Sequence, residues 1–316
     1  MGSLLFSINA TLPVTLMIFL GALLKRVRLL DGKIIPQLNR FTLNVTLPFL
    51  ILDNLGGVHF DDLWDASYLL LCAGGTLICF LLAIACSSIF IRKDRALQGE
   101  LIQGSFRGSA VLLAYAYVQN IYGVATTTSL MVLATVPLYN LLSAALLSLT
   151  DASHQHLDRS VWEQTLRGLF KNPVVIGILM GMISSFLQVS YPEPVQKVIS
   201  QLSSLTSPLA LICLGASFEW RGAFQQRRLT GWGTLFKLIL QPALMLPLAI
   251  WLDLSGEKMV AFLIMVGTPT SVTSYVMAKD TNHEGVLTAS LIVTTTILST
   301  FTMTFWIFVL RGLGRI

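Results

Sequence analysis

The sequence predicts an all-α polytopic membrane protein: ten transmembrane helices arranged as two inverted five-helix repeats. Three observations lead there. The composition is too apolar for water, ten apolar runs have spanning length, and several segments match at one near-constant offset. Hydrophobic residues make up 54% of the 316 residues and charged residues only 12%, about half the charge of an ordinary soluble domain. A chain of this length cannot hide that much apolar surface in a core. A mean hydropathy of +0.73 makes lipid the solvent for most side chains.

The apolar runs lie at about 4–24, 38–55, 66–90, 97–119, 124–149, 171–190, 197–217, 231–252, 258–278 and 286–310, each long enough to span with some tilt. Span 1 is followed by Lys25, Arg26 and Arg28 and shows no cleavage pattern, so it reads as a membrane helix and not a signal peptide. Span 2 carries Asn44, Thr46 and Pro48. Span 3 carries Cys72, Cys79 and Cys86, seven residues apart on one helix face. Small apolar side chains at a helix contact account for them better than a metal or redox cluster. Span 4 holds Gly104, Ser105, Arg107, Gly108 and Ser109 near its middle, and span 5 holds Pro137 and Asn140, the latter read as a helix–helix hydrogen bond. The longest connection, 150–170, contains VWEQTLRGLF, which reads as a short amphipathic surface helix. It separates a first repeat, 1–149, from a second, 171–316. Span 6 has Gly177 and Gly181, a close-packing GxxxG pair. Span 7 has Thr206, Ser207 and Pro208. In span 8, Lys237 lies a few residues from the end and reads as snorkelling to the surface. Span 9 reads GTPTSVTSYVMAK from Gly267, and span 10 completes the set.

Lys and Arg number 21 against 16 Asp and Glu, a net of +5. In a soluble protein that excess would raise nucleic acid as a partner; here orientation accounts for it. The odd-numbered loops hold 15 basic residues and the opposite side 4, with Arg107 and Lys237 inside spans. That split places both termini outside and requires an even number of helices. The second loop agrees, with Asp61, Asp62 and Asp65 and no Lys or Arg.

The repeat is visible in three matches. LPFLILDNLG around Pro48 resembles SPLALICLG around Pro208 at an offset of 160. Arg107–Ser109 matches Pro269–Ser271 at 162, as Gly123 matches Gly285. Five helices per half is odd, so the second half enters the membrane inverted, the plan by which many secondary transporters build two alternating openings around one site.

Polar groups inside a membrane are costly and mark function by default. Arg107 lies about twelve residues from Arg95, roughly 18 Å along a helix and too deep for easy snorkelling. It reads as a structural Arg bonded to carbonyls, as an anion ligand, or as the organiser of a broken helix. Gly104 and Gly108 weaken the span 4 backbone, and Pro269 removes a span 9 N–H at the equivalent place. Interrupted helices expose N-terminal ends that favour anions. The candidate substrate contacts are therefore Arg107, Ser109, Asn44, Thr268, Thr270, Ser271 and Ser274, with helix breaks at Gly104, Gly108, Pro269, Pro48 and Pro208. The four histidines fall in loops, and no HExxH, Walker loop or catalytic triad is evident, so no enzyme, metal or cofactor is expected. Asp53, near the outer end of span 2, stays open as a carboxylate proton carrier.

Six segments, NVTLPFLIL, GSFRGS, VPLYNLL, KNPVVIGILMGMI, SPLALICLGASF and TPTSVTSYVMAKD, together resemble the auxin efflux carrier family over essentially the whole chain. The chain looks like a small, bacterial-type member related in architecture to the plant PIN carriers. The resemblance implies that helices 4 and 9 are broken and cross near mid-membrane, with a substrate site beside the crossing. It implies a scaffold of helices 1, 2, 6 and 7, often dimeric, and an elevator-type moving part. Family substrates are mostly organic carboxylates, so an efflux-type carrier of a small organic anion in the cell membrane is expected. Many members carry Asn where Ser109 stands and a proline near Ala114–Ala116, so the break in span 9 is expected to be the clearer one. The competing readings are a sodium-coupled organic anion symporter resembling the bile acid carriers and a non-transporting sensor with a transporter fold.

Overall fold

The computed structural model describes residues 2–56, 58–59, 64–91, 94–150, 173–217, 226–281 and 283–316. Among these, helices account for the regular structure, with no strand beyond one isolated bridge. The amphipathic segment expected within 150–170 lies outside the described residues past Thr150, as do Asp61, Asp62 and several of the loop arginines and lysines.

The helices are α1 (Gly2–Arg26), α2 (Ile34–Phe41), α3 (Leu47–Gly56), α4 (Ala66–Phe90), α5 (Arg95–Phe106), α6 (Ala110–Tyr122) and α7 (Thr126–Thr150). They continue as α8 (Pro173–Phe186), α9 (Glu193–Ala216), α10 (Arg227–Leu235), α11 (Gln241–Trp251), α12 (Gly256–Gly267), α13 (Val272–Asp280) and α14 (Val286–Gly312). Six helical runs are long and apolar enough to cross a membrane: α1, α4, α7, α9, the α10–α11 run and α14. Their outer faces are dressed for lipid, with Leu70 73% and Phe301 71% exposed. Inward faces carry hydroxyls instead. Where α1 meets α14, Thr11 and Thr304 share a 2.7 Å hydrogen bond, and Thr11 also donates to Ser7 O one turn back. Such bonds satisfy polar groups that lipid cannot.

Two wide π turns join helices that would otherwise break. Thr42–Thr46 links α2 to α3, and Phe236–Leu240 links α10 to α11. Each stands just before a proline, Pro48 or Pro242. A proline ring collides with the carbonyl four residues back; widening the turn relieves that collision without ending the helix. Pro48 therefore does not break its span, contrary to the sequence expectation. Pro208 likewise sits inside the continuous helix α9.

Close helix crossings fix the arrangement. α3 packs on α8 and α9, and α9 on α1. A Cβ added at Gly177 would come within 2.8 Å of Pro48 Cα, and one at Gly181 within 2.8 Å of Leu55 Cβ, so the GxxxG pair does seat α8 on α3. Gly21 and Gly215 play the same part between α1 and α9, against the backbone of Ile212 and Ile18. A second packed group comprises α4 with α5 and α7, and α12 with α6, α7 and α11.

Candidate functional site

Both spans are interrupted, three residues (107–109) in span 4 and four (268–271) in span 9. α5 ends at Phe106, Arg107 is extended (φ −85°, ψ 104°), and α6 begins at Ala110. α12 ends at Gly267, Thr268 and Ser271 are extended, and α13 begins at Val272. The two breaks meet. Gly108 and Thr270 form an antiparallel bridge. Ser109 N–H donates to Pro269 O at 2.8 Å, and Ser271 N–H donates to Arg107 O at 3.2 Å.

A helix end leaves carbonyls without partners, and the crossing supplies them for α5. Gly104 O accepts from Thr270 Oγ1 (2.7 Å), Phe106 O accepts from Lys237 Nζ (3.2 Å), and Arg107 O accepts from Ser271 N–H. Span 4 can break without a proline because its backbone partners come from α10–α11 and span 9. Gly108 allows the approach: a Cβ there would lie 2.7 Å from Thr268 Oγ1 and 3.2 Å from Lys237 Nζ. Gly104, by contrast, is inside α5, where the docked Thr270 and Leu291 leave no room for a side chain.

Beside the crossing lies a cavity of about 570 Å³. Its wall includes Arg107, Ser109, Asn44, Asn140 and Ser271. It also includes the first turns of two half-helices, Ala110, Val111 and Leu112 of α6 and Val272 and Thr273 of α13. Both N-terminal ends thus face one space, and such ends carry partial positive charge. Arg107 is 6% exposed and turns its guanidinium to neutral acceptors: Asn140 Oδ1 at 2.8 Å, Ser143 Oγ at 3.3 Å, Tyr139 O at 3.4 Å and Met277 Sδ at 3.0 Å. No carboxylate among the described residues pairs with it. Glu100, two turns back, instead accepts from Gly285 N–H, Thr288 N–H and Thr288 Oγ1 and caps α14. Asn140 makes the interhelical bond expected of it, and its partner is Arg107 itself.

Of the candidate contacts, Arg107, Ser109, Asn44 and Ser271 line the cavity. Thr268, Thr270 and Ser274 do not; all three are wholly buried. Thr270 is fully used, donating to Gly104 O and receiving Thr295 Oγ1 on its N–H. The hydroxyl oxygens of Thr268 and Ser274 have no partner among the described residues. Lys237 corrects the sequence reading. It does not snorkel: it is 0% exposed and bonded at the crossing to Phe106 O and Gln241 Oε1. Its signal was a lysine beside the run LILQP, where the π turn before Pro242 changes which way the helix face points. The described cysteines are free thiols, and no cluster of three or more His, Cys, Asp or Glu is present among the described residues.

The cavity wall reaches Asn39, Pro173 and Ser217, where α2, α8 and α9 join the basic loops. Outside the cavity lining, Asn120 Nδ2 donates to Ala10 O (2.8 Å) and Asn9 O (3.1 Å), and Asn54 Oδ1 accepts from Ala125 N–H (3.0 Å). Apolar helices of spanning length around two interrupted helices that meet beside one cavity define an integral membrane protein of the transporter class. The chain belongs to the family described as membrane transport protein, the auxin efflux carrier family, which it matches over residues 6–307. A Rhizobium meliloti (strain 1021) protein named "Putative malonate transporter" is 24% identical over 310 residues, covering 95% of each chain.

Proposed function

We propose that this chain is a secondary transporter of a small dicarboxylate such as malonate. The observation that carries the reading is a single cavity faced by Arg107 and by the N-terminal turns of α6 and α13. Two helix ends and one guanidinium suit a ligand with two carboxylates a few ångströms apart. Ser109, Ser271 and Asn44 supply hydrogen-bonding groups around it, while Thr270 ties the crossing and Thr268 and Ser274 are buried away from the cavity. The name of the Rhizobium relative points to the same substrate class.

Ten spans in two inverted halves remain part of the proposal. Two structural features support it. Under the 162-residue offset, the bond from Ser109 N–H to Pro269 O becomes the bond from Ser271 N–H to Arg107 O. Gly21 also packs on Ile212 much as Gly181, at an offset of 160, packs on Ile51 and Leu55. The transport cycle is of elevator type. α1–α3, α8 and α9 form the fixed part, the crossing helices move, and the Asn120 and Asn54 contacts are exchanged as the other end opens. Efflux as the direction, a homodimer through the fixed part and both termini outside follow from the family resemblance and the charge split. Single cysteines at positions 3 and 314 should react with an impermeant thiol reagent in intact cells; labelling only after lysis would reverse the orientation.

The substrate test is a thermal-shift screen of purified protein against mono- and dicarboxylates, with and without sodium. A ligand that binds the folded state raises its melting temperature by mass action. Malonate or a close dicarboxylate should do so without sodium. No shift with any carboxylate would remove the anion reading, and a shift that needs sodium would replace it with the symporter.

A further inference from the structure

Lys237 is not needed by the substrate reading, since it does not line the cavity. It lies within the crossing itself, wholly buried, in the π turn between α10 and α11. Its two bonded partners are neutral oxygens, Phe106 O at 3.2 Å and Gln241 Oε1 at 3.1 Å. The first is a carbonyl at the C-terminal end of α5, where the helix dipole is negative. A third oxygen, Thr268 Oγ1, is buried without a partner among the described residues. It and Lys237 Nζ both lie within 3.2 Å of the point a Cβ on Gly108 would occupy.

A helix-end carbonyl, a side-chain amide oxygen and a free hydroxyl form the donor set of a monovalent cation site: neutral hard oxygens gathered at a negative helix end. We propose that this is a monovalent-cation site that the Lys237 ammonium fills from within the chain. The tethered cation takes the place of a free ion at the crossing. It holds the α5 carbonyl in position whether or not salt is present. Its counterpart under the 162-residue offset is Gly75, which has no side chain, so only one half of the chain carries this device. The inference concerns the integrity of the crossing and stands apart from the choice of substrate.

Removing the ammonium should turn the tethered site into one that takes a free ion. Lys237→Ala empties it. Lys237→Gln keeps the bulk and brings a further oxygen toward Phe106 O, Gln241 Oε1 and Thr268 Oγ1. Purified wild type and both variants are melted in sodium, methylammonium and choline chloride at equal ionic strength, without organic anions. Wild type should melt at one temperature in all three. Each variant should melt several degrees higher in sodium or methylammonium than in choline, by a margin that grows with the logarithm of the cation concentration. A variant recoverable only when purified in sodium or methylammonium supports the site equally. If neither variant distinguishes the small cations from choline, or neither is recoverable in any of the three salts, the proposal is wrong. It is also wrong if wild type itself gains from sodium. Because no carboxylate is used, this outcome is independent of whether malonate binds.

Discussion

Replacing Arg107 by alanine separates the stability of the fold from the affinity of the site. Among the described residues the guanidinium bonds to neutral acceptors, one oxygen at 2.8 Å, two at 3.3 and 3.4 Å, and the weak acceptor Met277 Sδ at 3.0 Å. Its loss strands no carboxylate among the described residues, and Asn140 lines the cavity, where water can replace the guanidinium. The net cost to folding is on the order of 1–2 kcal/mol, the value of one good and two long hydrogen bonds offset by relief from burying a cation. The bound dianion fares differently. It keeps the two helix ends and loses the only full positive charge among the described residues that line the cavity. Truncating one partner of a buried charge pair costs about 2–5 kcal/mol, so the malonate dissociation constant should rise about 30-fold or more. Arg107→Lys keeps the charge but not the planar fork and should fall between, at roughly 10-fold. The assay is a malonate titration of the purified variants by calorimetry, with melting temperature and gel filtration as controls for folding. Wild-type affinity in both folded variants would refute the reasoning and leave Arg107 as a structural residue holding α7.

Three further outcomes follow from the crossing and the caps. Gly108→Ala forces a methyl to within 2.7 Å of Thr268 Oγ1; overpacking of this kind costs about 1–3 kcal/mol, so the melting temperature should drop, and an unchanged value would mean the two breaks are not tightly apposed. Glu100→Ala strips three donors at the start of α14 of their acceptor. That should destabilise by about 2 kcal/mol or more, measured as a lower melting temperature, with equal stability arguing against the cap. Asp65, the N-cap of α4, is held below the usual carboxylate range first by the hydrogen bond from Lys258 and then by Tyr68 N–H. A carboxylate so lowered contributes its stability fully above about pH 4 and loses it as pH falls through its native value. Both partners reach solvent, so the contribution is small. Asp65→Asn should flatten the acid limb of the melting curve, and superimposable acid limbs would contradict the assignment.

The apolar runs, Arg107 and both interruptions were legible because composition, hydrophobic length and the pairing of Gly-rich with Pro-containing segments are local signals. What was not legible depends on distant partners. The span 4 break needs no proline because Thr270, Ser271 and Lys237 satisfy its carbonyls, and nothing near Arg107 in sequence announces them. Lys237 stands close to a loop in sequence, but it lies in the π turn at Phe236–Leu240 and bonds into the crossing, which its distance from the loop does not reveal. Pro48 and Pro208 resemble Pro269 in sequence, yet one follows a wide turn and the other sits within an unbroken helix. Thr268, Thr270 and Ser274 share a polar stretch with Ser271, but alternation along the extended break turns Thr270 away from the side Ser271 takes, Ser274 sits on the buried face of α13, and of these four only Ser271 reaches the cavity.

The central claim is that this cavity carries a small dicarboxylate across the membrane. Its most direct test is uptake of labelled malonate into liposomes containing the purified protein and preloaded with unlabelled malonate, in sodium-free buffer. The account predicts saturable exchange well above protein-free liposomes, lost in Arg107→Ala. Flux no higher than in protein-free liposomes, or wild-type flux in the folded Arg107→Ala protein, would contradict it.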